Sequence, residues 1–112
     1  MKRIEATVRK DRLVAVVDAL EETRSTGVTV MSSLGHGVQG GLTQRWRGQD
    51  ITAPLLSKVT LWTVVSDEEV AEVTETIVAA ARTGAMGDGK VFVSDVCEAF
   101  RVRTRECGDV VV

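Results

Sequence analysis

The sequence is poor in the residues from which most small active sites are built. Among its 112 residues it has one histidine, His36, two cysteines, one proline and no tyrosine. A lone histidine with no thiolate or carboxylate cluster in sequence reach gives no support to a zinc site. Two cysteines are too few for a disulfide framework, and Cys97, in an apolar run, is expected to be a buried thiol. Ser–His, Cys–His and paired-carboxylate arrangements are also missing, which argues against an enzyme.

Long apolar runs and a strong excess of one charge are missing as well. No apolar stretch approaches membrane-spanning length. No apolar signal segment follows residues 1–5, so we expect a cytoplasmic protein without direct membrane insertion. The net charge of −2 gives no overall attraction to nucleic acid, and any basic site must be local. The length fits one domain, residues 1–112, and a domain this small buries more surface by self-association.

Hydrophobic periodicity predicts four strands. Ile4, Ala6 and Val8 alternate with polar residues, as in a half-buried strand, and the later segments are rich in β-branched residues. The predicted strands cover residues 4–9, 28–31, 59–65 and 90–96. Between the second and the third, a glycine-rich stretch without clear periodicity predicts a long loop, and loops of that length are usually functional or mobile.

Two helices are predicted between these strands. Asp11 is placed to cap the first, which should end near residues 25–27 at Gly27. Ser66 and Glu69 have the spacing of a capping box that opens the second, and Gly84 ends it. The apolar faces are assigned to Leu13, Val14, Val17 and Leu20 in the first helix and to Val70, Val73, Ile77 and Val78 in the second.

The order strand, helix, strand, long loop, strand, helix, strand indicates an α+β fold, the ferredoxin-like βαββαβ sandwich. Both helices of that fold pack on one face of the sheet. Ile4, Trp62 or their strand neighbours are therefore expected on an uncovered apolar face, and such a face usually marks association. Another subunit is expected to cover it.

Three segments have the residue types of a binding site. Residues 83–90 form a glycine-rich turn that ends in Lys90, suited to phosphate oxygens; Val91 follows, so this is not a Walker A loop, and a plain helix-to-strand turn is the alternative. Residues 101–104 contain two arginines, Arg101 and Arg103, at alternate positions. In an extended segment both guanidinium groups lie on one side and clamp one polyanion; a solvated basic tail is the alternative. Residues 35–41 combine a flexible backbone with one amide side chain, Gln39, that is able to coordinate a metal or a ligand; a mobile linker is the alternative.

Together these segments resemble the PII nitrogen-regulatory signalling proteins along nearly the whole chain. The specific combination is T-G-x-x-G-D-G-K followed a short way downstream by R-x-R-T. The matching segments are residues 26–30, G-x-G-x-Q at 35–39, Arg47-Gly48, Lys58-Val59, residues 83–93 and residues 101–104.

The resemblance implies a homotrimer of ferredoxin-like subunits with sheets lining the centre and with ATP or ADP competing for each cleft between subunits. Residues 83–90 would be its phosphate-binding loop and residues 98–112 its C-terminal segment. The implied nucleotide-binding residues are Thr29, Gly35, Gly37, Val38, Val64, Gly87, Asp88, Gly89, Lys90, Arg101 and Arg103. Of these, Thr29 and Val64 would line the adenine and ribose, and the two arginines would come from the adjacent subunit.

In many members 2-oxoglutarate joins ATP through a bridging magnesium. The resemblance implies that Gln39 would ligate the metal and that Lys58 would pair with a carboxylate of the effector. Its remaining effector-binding residues would be Gly40, Gly41 and Gly87. Val38 stands where the family has an arginine that contacts the terminal phosphate, which should weaken the preference for ATP over ADP.

Residues 35–56 match the family's T-loop, the arm that inserts into target proteins. Ile51 stands at the position of the tyrosine that many members modify, and Gln49 at that of a serine phosphorylated in some relatives. Regulation by ligand binding alone is therefore expected. Arg47, which plugs ammonium channels in some relatives, is retained, and Trp46 is a large apolar anchor for a partner, either a membrane transporter or a metabolic enzyme.

Three other functions stay open from the sequence. Departures at Val38, Gly40, Leu42 and Ile51 allow a PII-like protein of carbon or bicarbonate metabolism, the carboxysome-associated type, responding to ADP or AMP. A nucleotide hydrolase is disfavoured, because Asp88 is the only acid in the glycine-rich turn and a turn-stabilising role suits it better. A structural trimer without a ligand is the last alternative.

Overall fold

The computed structural model describes residues 1–24, 27–37, 43–52 and 55–112. Within these ranges the chain forms six strands and two α-helices. In chain order they are β1 (Lys2–Arg9), α1 (Leu13–Glu21), β2 (Thr29–Gly35), β3 (Thr43–Trp46), β4 (Gln49–Thr52), β5 (Leu56–Val65), α2 (Val70–Ala81) and β6 (Gly89–Asp95). No helix in the described ranges has the length and apolar character needed to cross a membrane.

Four of the strands form one antiparallel sheet in the order β2-β5-β1-β6. The two helices pack against each other and on the sheet. This arrangement confirms the predicted ferredoxin-like βαββαβ fold. Strands β3 and β4 pair separately as a hairpin, within the stretch for which the sequence showed no periodicity. Strands β2 and β5 extend further toward this hairpin than predicted.

The core lies between the sheet and the helices. Ile4, Ala6 and Val8 of β1 are almost completely buried there, against Leu61 and Val65 of β5 and against both helices. Ile4 is therefore not on the uncovered face, and that prediction was wrong. The residues that alternate with it carry the uncovered face instead, because side chains along a strand point alternately to opposite sides.

Helix α1 differs from its prediction at both ends and on its apolar face. Asp11 lies inside a 3₁₀ turn, Lys10–Arg12, and makes no side-chain cap. The helix ends at Glu21, before the predicted stop near Gly27. Its buried residues are Val16 and Leu20, whereas Val14 is 70% exposed. Val16 and Leu20 lie about one helical turn apart, and both join the core between the helices and the sheet.

Helix α2 begins as predicted. The backbone N–H and the hydroxyl of Ser66 both donate to the Glu69 carboxylate, completing a capping box around a 3₁₀ turn, Asp67–Glu69. Of the predicted apolar residues, Val73 and Ile77 are buried, but Val78 is 41% exposed. The small side chain of Ala81 is buried in the last turn instead.

The C-terminal segment is not extended at residues 101–104, where the alternating arginines suggested an extended clamp. Residues 102–104 form a turn, closed by the bond from the Arg105 N–H to the Arg101 carbonyl at 2.8 Å and flanked by an isolated bridge between Phe100 and Cys107. Cys97 is exposed, contrary to its predicted burial.

Candidate functional site

The face of the sheet opposite the helices carries most of the polar and aromatic side chains. Directly paired residues share a face. The register aligns Thr29, Trp62, Glu5 and Phe92 in one row across the four strands. Trp62 therefore lies on the uncovered face, as the sequence suggested, and Val64 follows it two residues later on the same side.

An arginine covers the tryptophan on this face. The Arg3 guanidinium carbon lies 4.6 Å from the centre of the Trp62 ring, a cation–π contact. Arg3 Nη2 also donates to Glu5 Oε2 at 2.7 Å. The contact joins β1 to β5 and leaves Phe92 of β6 exposed beside it.

The glycine-rich turn between α2 and β6 is organised around Asp88. Its carboxylate accepts hydrogen bonds from the Thr83 and Gly84 backbone N–H groups at 2.8 and 2.9 Å and from the Thr83 hydroxyl. Arg9 Nε, at the end of β1, donates to it at 2.9 Å, and the same guanidinium donates to the Met86 carbonyl. The Thr83 hydroxyl first, and Arg9 second, hold the pKa of Asp88 well below its usual range.

Gly89 allows this turn to meet β1. Its φ is +105°, and a Cβ at this position would lie 1.7 Å from the Thr7 carbonyl oxygen, where no atom fits. Gly89 pairs with Val8 at the first residue of β6. The close approach brings the turn against the end of the sheet, next to Lys90.

An open cavity of about 290 Å³ lies where this turn meets β1, β5 and the end of β2. It brings together six residues predicted to bind nucleotide or effector: Gly35, Gly37, Lys58, Gly87, Gly89 and Lys90. Four further residues that were not predicted complete its wall: Thr7, His36, Leu56 and Phe92.

Two lysines give the cavity its charge. Lys58 Nζ donates to the Gly87 carbonyl at 2.6 Å, which ties β5 to the glycine-rich turn. The side chain of Lys90 is exposed and makes no hydrogen bond or ion pair within the described part of the chain. None of the described lining residues is acidic. The cavity is therefore suited to an anion.

The remaining predicted residues lie away from this cavity in a single chain. Thr29 and Val64 are on the uncovered sheet face. Arg101 donates to the Glu106 carboxylate and, at 3.1 Å, to the Val110 carbonyl, and Arg103 is exposed in the turn of the C-terminal segment. Asp88 faces Arg9 and does not line the cavity.

Several predicted residues lie outside what the structure describes. They are Val38, Gln39, Gly40 and Gly41, among them the predicted magnesium ligand. Trp46 is placed by its backbone at the end of β3, and Arg47, with φ of +50°, follows it in the hairpin turn. Across the described ranges no three His, Cys, Asp or Glu side chains are grouped to hold a metal ion.

Sequence reasoning missed Arg9 and His36. Arg9 acts on a carboxylate 79 residues away, and only the pairing of β1 with β6 shows that they meet. The sequence did contain an indication for His36, because this residue lies between two glycines in residues 35–41, one of the three segments predicted to bind a ligand. Its presence in the cavity wall depends on where β2 ends.

The chain is similar in sequence to known proteins along nearly its whole length. The family model described as "Nitrogen regulatory protein P-II" matches residues 1–106. "Nitrogen regulatory protein P-II 2" of Methanothermobacter thermautotrophicus is 46% identical over 108 residues, which are 96% of this chain and 94% of that protein. "Nitrogen regulatory protein P-II" of Rhizobium meliloti is 44% identical over 108 residues, 96% of each chain. The protein of the same name from Nostoc punctiforme is 43% identical over 106 residues, 95% of each. The chain belongs to the nitrogen regulatory protein P-II family.

Proposed function

We propose that this chain is a PII-type signal transduction protein that senses ATP and ADP and regulates nitrogen metabolism or ammonium transport. The observation that carries the proposal is the cavity at the glycine-rich turn. Lys58 and Lys90 line it, its wall contains Gly87 and Gly89, and no acidic residue is among its described lining. Ammonium groups and close backbone approach suit the oxygens of a polyphosphate.

The cavity, about 290 Å³ and open to one side, is at the lower end of the range of about 300–1,000 Å³ that is usual for sites enclosing small ligands. We propose that a second copy completes the nucleotide site. We assign Arg101 and Arg103 of the adjacent subunit to the phosphates, and Thr29 and Val64 to the adenine and ribose. The uncovered sheet face, with Trp62 and Phe92 on it, supports the homotrimer that this arrangement needs, because burying it removes apolar surface from water.

Lys58 is the residue proposed to bind 2-oxoglutarate. Its ammonium already donates to the Gly87 carbonyl at 2.6 Å, so a carboxylate would compete with a neutral acceptor. A carboxylate adds attraction between opposite charges, which a neutral carbonyl lacks, and this favours the exchange. Gln39 and oxygens of the nucleotide phosphates would hold a magnesium ion, which would neutralise phosphate charge beside the effector.

Residues 35–56 are proposed to carry the signal to a membrane transporter or metabolic enzyme. Gly35, Gly37 and Lys58 connect this segment to the cavity, so ligands that prefer different conformers of the segment select which partner docks. Trp46 and Arg47 are the proposed partner contacts. With no tyrosine in the sequence, uridylylation of that residue cannot operate, and we assign regulation to ligand binding alone.

We propose no catalytic activity for this cavity. Asp88 is held by Arg9, Thr83 and Gly84 and is oriented away from the cavity. A general base must reach the proton it abstracts, and Asp88 is engaged elsewhere. Turnover of ATP above background, lost in Asp88→Asn, would contradict this part of the proposal.

Calorimetric titration with ATP, ADP and AMP, with and without 2-oxoglutarate or bicarbonate, tests the proposal, with light scattering to measure the oligomer. Lys90→Ala should weaken nucleotide binding by about ten- to a hundredfold, because it removes a charged contact. Lys10→Ala is the matched control, since Lys10 does not line this cavity. A monomer that binds no adenylate at millimolar concentration would overturn the proposal. A response to bicarbonate with ADP or AMP would favour the carbon-metabolism relative.

A further inference from the structure

The only histidine in the sequence lies in the wall of the cavity. We propose that His36 is a third cationic contact for the anionic ligand, alongside Lys58 and Lys90, so that ligand binding is coupled to proton uptake. The inference rests on the proposed function, because it assigns to that same site a residue that responds to pH as well as to adenylate.

The backbone fixes the position of residue 36. Gly35 is the last residue of β2 and pairs with Leu56 of β5. A Cβ at Gly35 would lie 3.2 Å from Cγ of Lys58, so the chain runs directly against the lysine stem as it leaves the strand. His36 follows at once, and its exposed side chain lies in the same cavity wall as the two lysines.

Charged groups from three elements surround the cavity. Lys58 comes from β5 and Lys90 from β6. From β1, Arg9 reaches the glycine-rich turn, where its guanidinium is paired with Asp88. The carboxylate of Asp88 is thus neutralised locally and does not line the cavity. A proton on His36 therefore adds to a positive field that no acidic group among the described lining residues cancels.

The chemistry of imidazole makes this charge adjustable. Histidine side chains ordinarily change charge between about pH 5 and 8, and the charged ring donates from both nitrogens. A bound phosphate or carboxylate attracts the proton, so binding takes up protons wherever the ring is partly charged. A unit charge about 6 Å from the ligand, at an effective dielectric constant between those of water and the protein surface, changes affinity by about tenfold.

Calorimetry with ADP as the probe, at about pH 6 and about pH 8, tests the inference. The unmodified protein should gain up to about tenfold more affinity at the lower pH than His36→Asn does. His36→Asn serves as the reference because the phosphates of ADP also change charge between these pH values, and they do so equally with either protein. Repeating the titration in buffers of different ionisation enthalpy should show greater proton uptake by the unmodified protein. Equal melting temperatures will show that His36→Asn folds normally.

Proton NMR gives an independent readout. With one histidine in the sequence, its ring resonance needs no further assignment. Its titration midpoint should move to higher pH when ADP is bound, and it should do so equally in the Lys10→Ala control. The inference is overturned if the midpoint is unchanged and the ADP affinity of the unmodified protein and of His36→Asn depends equally on pH. In that case ADP binding itself would still support the proposed function. If neither protein binds ADP at either pH, the proposed function fails together with the inference.

Discussion

Replacing Gly89 by alanine probes the contact between β1 and the glycine-rich turn. The new Cβ would lie 1.7 Å from the Thr7 carbonyl oxygen, whereas contacts under 3.0 Å essentially never occur. The turn or strand β1 must therefore shift by more than about 1 Å, and φ of +105° adds backbone strain of about 1–3 kcal/mol. We expect Gly89→Ala to lower the free energy of unfolding by about 3 kcal/mol or more.

Two other glycines distinguish the effect of steric overlap from the effect of backbone strain. Gly84 has φ of +90°, and a Cβ there would meet no atom of the described residues within 4 Å, so Gly84→Ala adds strain alone and should cost about 1–2 kcal/mol. Gly27 has neither a positive φ nor a near contact, so Gly27→Ala should be neutral or stabilise by up to about 1 kcal/mol. The expected order of stability is thus Gly27→Ala, then Gly84→Ala, then Gly89→Ala.

Thermal unfolding followed by circular dichroism measures the series. For a chain of this size, 1 kcal/mol corresponds to about 4 °C in melting temperature, so Gly89→Ala should melt at least about 12 °C lower than the unmodified protein. Protein concentration must be held constant, because self-association adds to apparent stability. If Gly89→Ala and Gly84→Ala melt at the same temperature, the close approach of the turn to Thr7 is refuted.

Three further predictions concern the helices and Asp88. Ser66→Ala removes one side of the capping box and should cost about 1 kcal/mol, measured by urea unfolding. Ile77→Ala should cost about 2–5 kcal/mol by leaving a cavity in the core, whereas Val78→Ala, at an exposed position, should change stability by less than about 1 kcal/mol in the same assay. Hydrogen bonds, that of the Thr83 hydroxyl first, hold the pKa of Asp88 low. Asp88 therefore stabilises the fold above about pH 4, and this stabilisation is lost as the pH falls toward the lowered pKa. Asp88→Asn should flatten that acid dependence in melting curves recorded from pH 7 to pH 3; an unchanged slope would contradict it.

Periodicity was sufficient to predict the order of the four strands of the main sheet and the two helices, but it did not predict the hairpin of β3 and β4. Alternation along β1 predicted a strand, and the spacing of Ser66 and Glu69 predicted where the second helical segment opens. It did not predict which face of β1 meets the helices, because Ile4 and Glu5 alternate equally well in either orientation. That choice depends on packing against α1 and α2, which no local pattern contains.

The helix faces were less predictable for a related reason. In α1 the apolar residues are dense enough that several helical phases fit, and packing in the core buries Val16 and leaves Val14 exposed. These phases differ only by a rotation of α1 about its axis through part of a turn. Sequence patterns at element ends are seldom defined that finely.

The candidate site was predicted in part. Gly87, Gly89 and Lys90 form a contiguous motif, and contiguous motifs are visible in one sequence. Arg9 and His36 come from distant segments, so their contribution needs the register of β1 with β6 and the end point of β2. The alternation of Arg101 and Arg103 suggested an extended clamp, but the backbone bond from the Arg105 N–H to the Arg101 carbonyl closes a turn instead.

The alternation of β5 divides its residues between two tasks. Leu61 and Val65 complete the hydrophobic core, while Lys58 and Trp62 point to the other side of the sheet. Changes in ligand preference and changes in thermal robustness can therefore arise at different positions of one strand. Substitutions at Lys58 and Trp62 can therefore alter recognition and leave Leu61 and Val65 of the core unchanged, and a lineage can diverge in the same way.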